Sequence, residues 1–439
     1  MSQSSKGGPP CEGRSYPVRS CEMKMNEMIH VWMALSGVAL LSGCASAYAP
    51  HGIGSRLSLG GAFAGQPENL GKRLSPAAWD LLNGTLGDIG ATPLEDYHAH
   101  IIGIGTKDTH AELNRSMLSW WHPVKRVKTG IFLSACGVSD FTRLDQEYVE
   151  RLVRLVRGVN HPIKVHILAM DHFYNPDGTV DKGKVEFYVP NDYVVNLAKQ
   201  YPDVFIPVIS VHPNRADALA ELDKWARQGV RFVKWLPNAQ GIDPSDPRYD
   251  RFYEAMKKHN MVLLTHTGME KSVESSAQAY GNPLLLRRPL DHGVKVIMAH
   301  CASSGRSADL DHPGSEADNF DLFLRMMAIE RYRGLLFADI SATTQVNRTP
   351  RPILELIRRP ELYDRLVNGS DYPLPAINCV IWTRKLARLG MITSTERRCL
   401  NEIYDCNPLL FDYALKRTIH DPTTGNKLPA RVFLNNPGI

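Results

Sequence analysis

The side chains of this sequence that could do chemistry begin with two histidines in LEDYHAHIIGIG, His98 and His100, and continue with Lys234, His266, His300 and Asp371. In a strand, alternate side chains share a face, so His98 and His100 point one way while Ala99 points the other. Two neutral imidazoles on one face make half of a zinc-type site. GVRFVKWLP reaches Lys234 at the end of a β-branched run, MVLLTHTG ends at His266, VKVIMAHCASSG ends at His300, and RLVNGSDYPLP carries Asp371 just beyond an apolar run. Any one of these histidines could be a satisfied core residue, and Asp371 before Tyr-Pro also suits a turn. Four such strand ends in one chain order point instead to a shared metal site.

A barrel of parallel strands is the element arrangement that can gather them, because it brings the carboxyl ends of all its strands to one mouth. Apolar runs near 94–101, 164–170, 204–211, 230–236, 261–266, 294–300, 334–340 and 365–368 read as eight strands. A ninth run, GIFLSACGV with Cys136, is assigned to an insertion after the first strand. Between runs, RLDQEYVERLVRLVRG places Leu144, Tyr148, Leu152 and Leu155 on one helical face, and NRADALAELDKWARQG places Leu219, Leu222 and Trp225 on another before Gly229 stops it. Strand then helix, repeated, predicts an α/β fold, a (β/α)8 TIM-type barrel. No GxGxxG follows an early strand, so a dinucleotide-binding sheet finds no support.

With these residues in this order, the sequence resembles the amidohydrolase superfamily, within the amidohydrolase-related branch that includes aminocarboxymuconate-semialdehyde decarboxylase-like enzymes. The resemblance runs from about Leu94 to about Phe411. It implies that His98 and His100 are first-strand metal ligands, His266 the fifth-strand ligand, His300 the sixth-strand histidine and Asp371 the eighth-strand aspartate. Lys234 takes the fourth-strand position, where it is a ligand only if carboxylated and bridging two ions.

The chemistry follows from such a donor set. Three imidazoles and a carboxylate hold a divalent ion, zinc by ligand type, and leave a place for a water whose pKa falls from about 15.7 toward about 7. Asp371 and His300 are then the catalytic pair: Asp371 moves a proton from water to leaving group, and His300 orients substrate or stabilises developing charge. The same mouth serves decarboxylation of a substrate carrying a carboxylate, for which Arg287 and Arg288 in GNPLLLRRPL are candidate binders. His172, in KVHILAMDHFYN, and Asn238, in WLPNAQGIDP, are further candidates for substrate contact, beside His212 and Gln240.

The N-terminus reads as a leader. Ile29 to Leu41 is apolar but too short to span a bilayer, follows Lys24, and runs into LSGC, which resembles a bacterial lipobox with Cys44 as the lipidated residue. Starts are available at Met23, Met25 and Met28. Ala45 after Cys44 favours the outer membrane, facing the periplasm; an ordinary secreted or periplasmic protein is the alternative. Segments divide as 1–44 leader and lipoprotein signal, 45–90 tether and pre-barrel helix, 91–415 barrel, and 416–439 tail.

Of eight cysteines, Cys11 and Cys21 fall before those starts and Cys44 is the expected lipidation site; the remaining five have no disulfide-framework spacing. The net charge of +5 is spread along the chain without a basic stripe, which argues against nucleic acid as partner. The sequence therefore predicts a lipid-anchored, metal-dependent hydrolase of a small-molecule amide, ester or lactone, with one ion or two. The alternatives are a metal-dependent decarboxylase of a small carboxylic acid and a ligand-binding lipoprotein without turnover. Oligomeric state is left open.

Overall fold

The computed structural model describes residues 66–275 and 277–439. The leader, Cys44 and the start of the tether lie outside the described residues. After helix α1 (Pro76–Leu86), whose N-cap Ser75 accepts from the Ala78 amide, the chain enters eight parallel strands. These are β1 (Leu94–His100), β2 (Ile163–Leu168), β3 (Phe205–Ile209), β4 (Phe232–Trp235), β5 (Val262–Thr265), β6 (Lys295–Met298), β7 (Leu336–Asp339) and β8 (Leu366–Val367). They lie side by side in chain order. The ends meet as well: the Tyr97 amide donates to the Asn368 carbonyl, the Asp371 amide to the His98 carbonyl and the His100 amide to the Tyr372 carbonyl. The sheet is thus a (β/α)8 barrel.

Period-two alternation explains how the strands aim their chemistry. Tyr97, Leu168, Val208, Val262, Leu264, Ile297, Phe337 and Val367 form a separate apolar cluster inside the barrel. Moving two residues on from Phe232, Leu264 and Phe337 reaches Lys234, His266 and Asp339 on the same inward face, higher in the barrel. In β1 the register against β2 shifts between Asp96 and Ala99, a bulge that re-aims the strand at its rim. Tyr97 therefore joins the interior cluster although its neighbour His98 faces the site.

The helices cover the outside. In α3 (Leu144–Arg157), Leu144, Tyr148, Leu152 and Leu155 are buried. In α5 (Ala218–Arg227), after α4 (Asn191–Gln200), Leu222 and Trp225 are buried but Leu219 is exposed, so the apolar face is narrower than the periodicity predicted. GIFLSACGV is not a strand: its first part closes α2 (Pro123–Ala135), in the insertion after β1. Proline at the first turn starts that helix, and its β-branched residues continue it without alternating.

Later helices are α6 (Asp250–Lys258), α7 (Arg287–Asp291), α8 (Asn319–Met327), α9 (Arg351–Ile357), α10 (Ser394–Cys406) and α11 (Pro408–Thr418). Thr393 and Glu396 form a reciprocal capping box on α10. A boundary at 415/416 falls inside α11, and the segment beyond is packed: Val432 and Phe433 are fully buried and Leu434 bridges Leu94 at the start of β1. No helix among the described residues is long and apolar enough to cross a membrane. Cys136, Cys301, Cys379, Cys399 and Cys406 are free thiols.

Candidate metal centre

The mouth of the barrel collects the six residues picked from the sequence. His98 is wholly buried, and its Nδ1 lies 2.9 Å from Oδ2 of Asp339, which turns Nε2 toward the centre. Around Nε2 stand His100 Nε2 at 3.3 Å, Lys234 Nζ at 3.2 Å and Asp371 Oδ1 at 3.6 Å. Asp371 Oδ1 is also 3.2 Å from His100 Nε2, and its Oδ2 is 3.9 Å from His300 Nδ1. His98, His300 and Asp371 offer ligand atoms all within 4.8 Å of one another. His266 packs against His300 with ring centroids 5.1 Å apart, and its buried Nε2 has no hydrogen-bond partner.

Electrostatics keep these groups in metal-binding form. Burial pushes the His98 and His300 imidazoles well below their ordinary pKa and His266 to about 4, so all three are neutral at pH 7. Burial draws Lys234 down to about 8 against the pull of Asp339 and Asp371. For Asp371, burial alone would raise the pKa, but the His100 hydrogen bond and the neighbouring His98 and Lys234 overcome it and hold it at about 2. The donors fit a divalent ion: neutral imidazoles, an ionised carboxylate, and an orphaned buried nitrogen on His266 that a ligand bond would satisfy.

Two of the residues sit in unusual backbone. His300 has φ 59° and Asp371 φ 58°, left-handed conformations that are rare for side chains other than glycine. Such outliers collect at functional sites, where surrounding structure over-determines them. At Gly369, a Cβ would stand 2.8 Å from the Cβ of His98, so glycine is required for the eighth strand to pass behind the first.

Several residues in the site were not foreseen. Asp339, at the end of β7, holds His98 with one oxygen; the other accepts from the His300 amide at 2.9 Å and from Ser341, through its amide and its hydroxyl. Ser341 Oγ in turn meets His300 Nδ1 at 2.7 Å. Glu270 Oε2 lies 3.3 Å from His266 Nδ1, four residues on in a loop. Carboxylates behind ligand histidines fix ring orientation and raise basicity. The inward alternation of FADIS could have found Asp339; Ser341 and Glu270 sit in loops with no periodic signal.

The cavity beneath the mouth, about 130 Å³, is lined by His98, His100, Lys234, His266, His300 and Asp371 together with apolar side chains, Arg348 and the polar residues Glu270, Lys271, Ser272, Gln345 and Asn347. Arg287 and Arg288 are absent from it. They lie on α7, paired with Asp311 at 2.6 Å and Asp250 at 2.7 Å, carboxylates that neutralise both guanidiniums outside the mouth. His172 is not in the lining either; it stacks on Tyr188 with centroids 3.8 Å apart. Asn238 is fully buried and ties Gly268 to Gln278, a loop clamp rather than a cavity group. His212 and Gln240 serve the fold: His212 Nε2 lies 3.0 Å from the Gln240 carbonyl, and the Gln240 side-chain amide donates to the Asp171 carbonyl and Ser210 Oγ.

Residues 96–376 match the family model described as Amidohydrolase. Among solved structures, the chain is similar to a proposed 2-pyrone-4,6-dicarboxylic acid hydrolase from Pseudomonas putida, at 16% identity over 64% of this chain and 83% of that one, TM-score 0.37. It is similar to 5-carboxyvanillate decarboxylase from Sphingomonas paucimobilis, at 12% identity over 78% and 100%, TM-score 0.42. A third is the 5-carboxyvanillate decarboxylase from Novosphingobium aromaticivorans with bound manganese, at 12% identity over 74% and 95%, TM-score 0.38. No curated protein matches the sequence.

Proposed function

The chain belongs to the amidohydrolase family, and from that premise we propose that it is a metal-dependent hydrolase of a small-molecule amide, ester or lactone. The observation that carries the reading is the convergence of His98, His300 and Asp371 within 4.8 Å at the carboxyl ends of the first, sixth and eighth strands. His98, His100, His266 and Asp371 are assigned to hold the ion, zinc by ligand type, and Lys234 joins them only in a carboxylated, two-ion form. A divalent ion supplies a water acidified toward neutral pKa and a Lewis acid for the substrate oxygen.

The chain's own residues do the rest. Asp371, ionised at neutral pH, takes the water proton and delivers it to the leaving group from a position beside His98, His100 and His300. His300, held by Ser341 through Nδ1 and lining the cavity, orients substrate or steadies developing negative charge. Asp339 and Glu270 keep the imidazoles oriented.

Decarboxylation of a small carboxylic acid is the second reading, favoured by the Arg348 guanidinium in the cavity wall. Lipidation at Cys44 and attachment to the outer membrane, facing the periplasm, complete the proposal; both rest on the sequence of the leader. The test is turnover of a panel of esters, lactones, amides and carboxylic acids by metal-loaded chain, with released carbon dioxide measured. Hydrolysis without carbon dioxide supports the first reading and carbon dioxide the second. Ligand binding without turnover of any kind would leave a binding lipoprotein.

A further inference from the structure

Arg348 sits on the turn after β7, where its amide and that of Thr349 both donate to the Gln345 carbonyl, at 3.0 and 2.9 Å. Its side chain lines the cavity that His98, His266, His300 and Asp371 share. Nη1 donates to Ser303 Oγ at 3.0 Å, while Nε is shut off from solvent with no partner. Among the described residues, no carboxylate comes within 4.0 Å of this guanidinium, whereas Arg287, Arg288 and Arg325 each grip one through two nitrogens. A guanidinium has five donors in a fixed fork, and leaving the buried Nε unmatched costs stability that a ligand's acceptor would return.

We propose that Arg348 anchors a carboxylate of the substrate, so that the substrate is a small carboxylic acid with an apolar body. The inference rests on the metal-dependent reading and holds for hydrolysis and decarboxylation alike. Ile101, Phe132, Phe187, Val273 and Leu374 give the same cavity an apolar patch that suits a hydrocarbon or aromatic body, beside the polar Lys271, Ser272, Gln345 and Asn347. Arg meets a carboxylate through two parallel hydrogen bonds, which fixes orientation as well as charge.

The experiment is isothermal titration of the full-length chain, purified without chelator, with benzoate and with benzamide, which match in size and differ in charge. The wild type is expected to bind benzoate at least about 10-fold more tightly than benzamide. In Arg348→Met the preference falls to near unity, and in Arg348→Lys, which keeps the charge but loses the fork, part of it returns, with metal content and melting temperature unchanged. A preference that survives intact in Arg348→Met, or no preference in the metal-bound wild type, overturns the inference and leaves the hydrolase reading standing. A chain that holds no metal but keeps an Arg348-dependent preference supports the anion site and removes the hydrolase reading instead.

Discussion

Asp339 holds His98 by a single 2.9 Å contact between Oδ2 and Nδ1, with both side chains fully withdrawn from solvent. The same carboxylate reaches His300 through its amide and through Ser341, so one residue sets two imidazoles. Asp339→Ala is predicted to lower metal affinity by about 10–100-fold, with the ligands themselves untouched. Competition against a chromogenic chelator measures it. Unchanged affinity would mean that Asp339 serves only the fold.

Asp371 tests turnover. Asp371→Asn keeps the shape and removes the proton acceptor, so kcat on any substrate found should fall by at least about 100-fold. Initial rates give the result, and far-UV circular dichroism shows that the barrel is retained. A variant that keeps its rate would assign proton transfer to another group.

Arg287 and Arg288 give the opposite expectation. Their partly exposed pairs with Asp311 and Asp250 lie outside the cavity, so alanine at either position should leave kcat/KM unchanged. The stability change should be within about 1 kcal/mol, the range for surface ion pairs. A large rise in KM in either variant would return that arginine to the substrate.

Acid sensitivity has a defined source in His212. Burial lowers its pKa to about 4, opposed by the Gln240 carbonyl and reinforced by Arg215, while an unfolded chain titrates near 6.5. The unfolded state therefore binds the extra proton first. The stability from His212 is fully present above about 6.5 and is lost as pH falls toward 4, by about 3 kcal/mol. Denaturant unfolding at pH 7 and pH 4.5 should show a smaller difference for His212→Asn than for the wild type; equal differences would contradict the assignment.

The barrel was legible because its strands are short apolar runs separated by amphipathic helices, and period-two alternation put His98, His100, Lys234 and His266 on inward faces. His300 and Asp371 sit just past strand ends in left-handed turns, so their approach depends on backbone that alternation does not describe. Arg287 and Arg288 misled because a charged pair before proline reads the same whether its carboxylate partner belongs to a substrate or, as with Asp311 and Asp250, to the fold. Arg348 was missed for the converse reason: RTPRP looks like a solvated loop, and only the return of that loop over the mouth places the guanidinium in the cavity.

The most direct test is the metal content of the purified chain, prepared without chelator and measured by elemental mass spectrometry. One tightly bound divalent ion per chain, lost together with turnover in Asp371→Asn or on prolonged chelation, is the predicted result; two ions would implicate a carboxylated Lys234. A chain that binds no divalent ion under any loading condition would contradict the metal-dependent account.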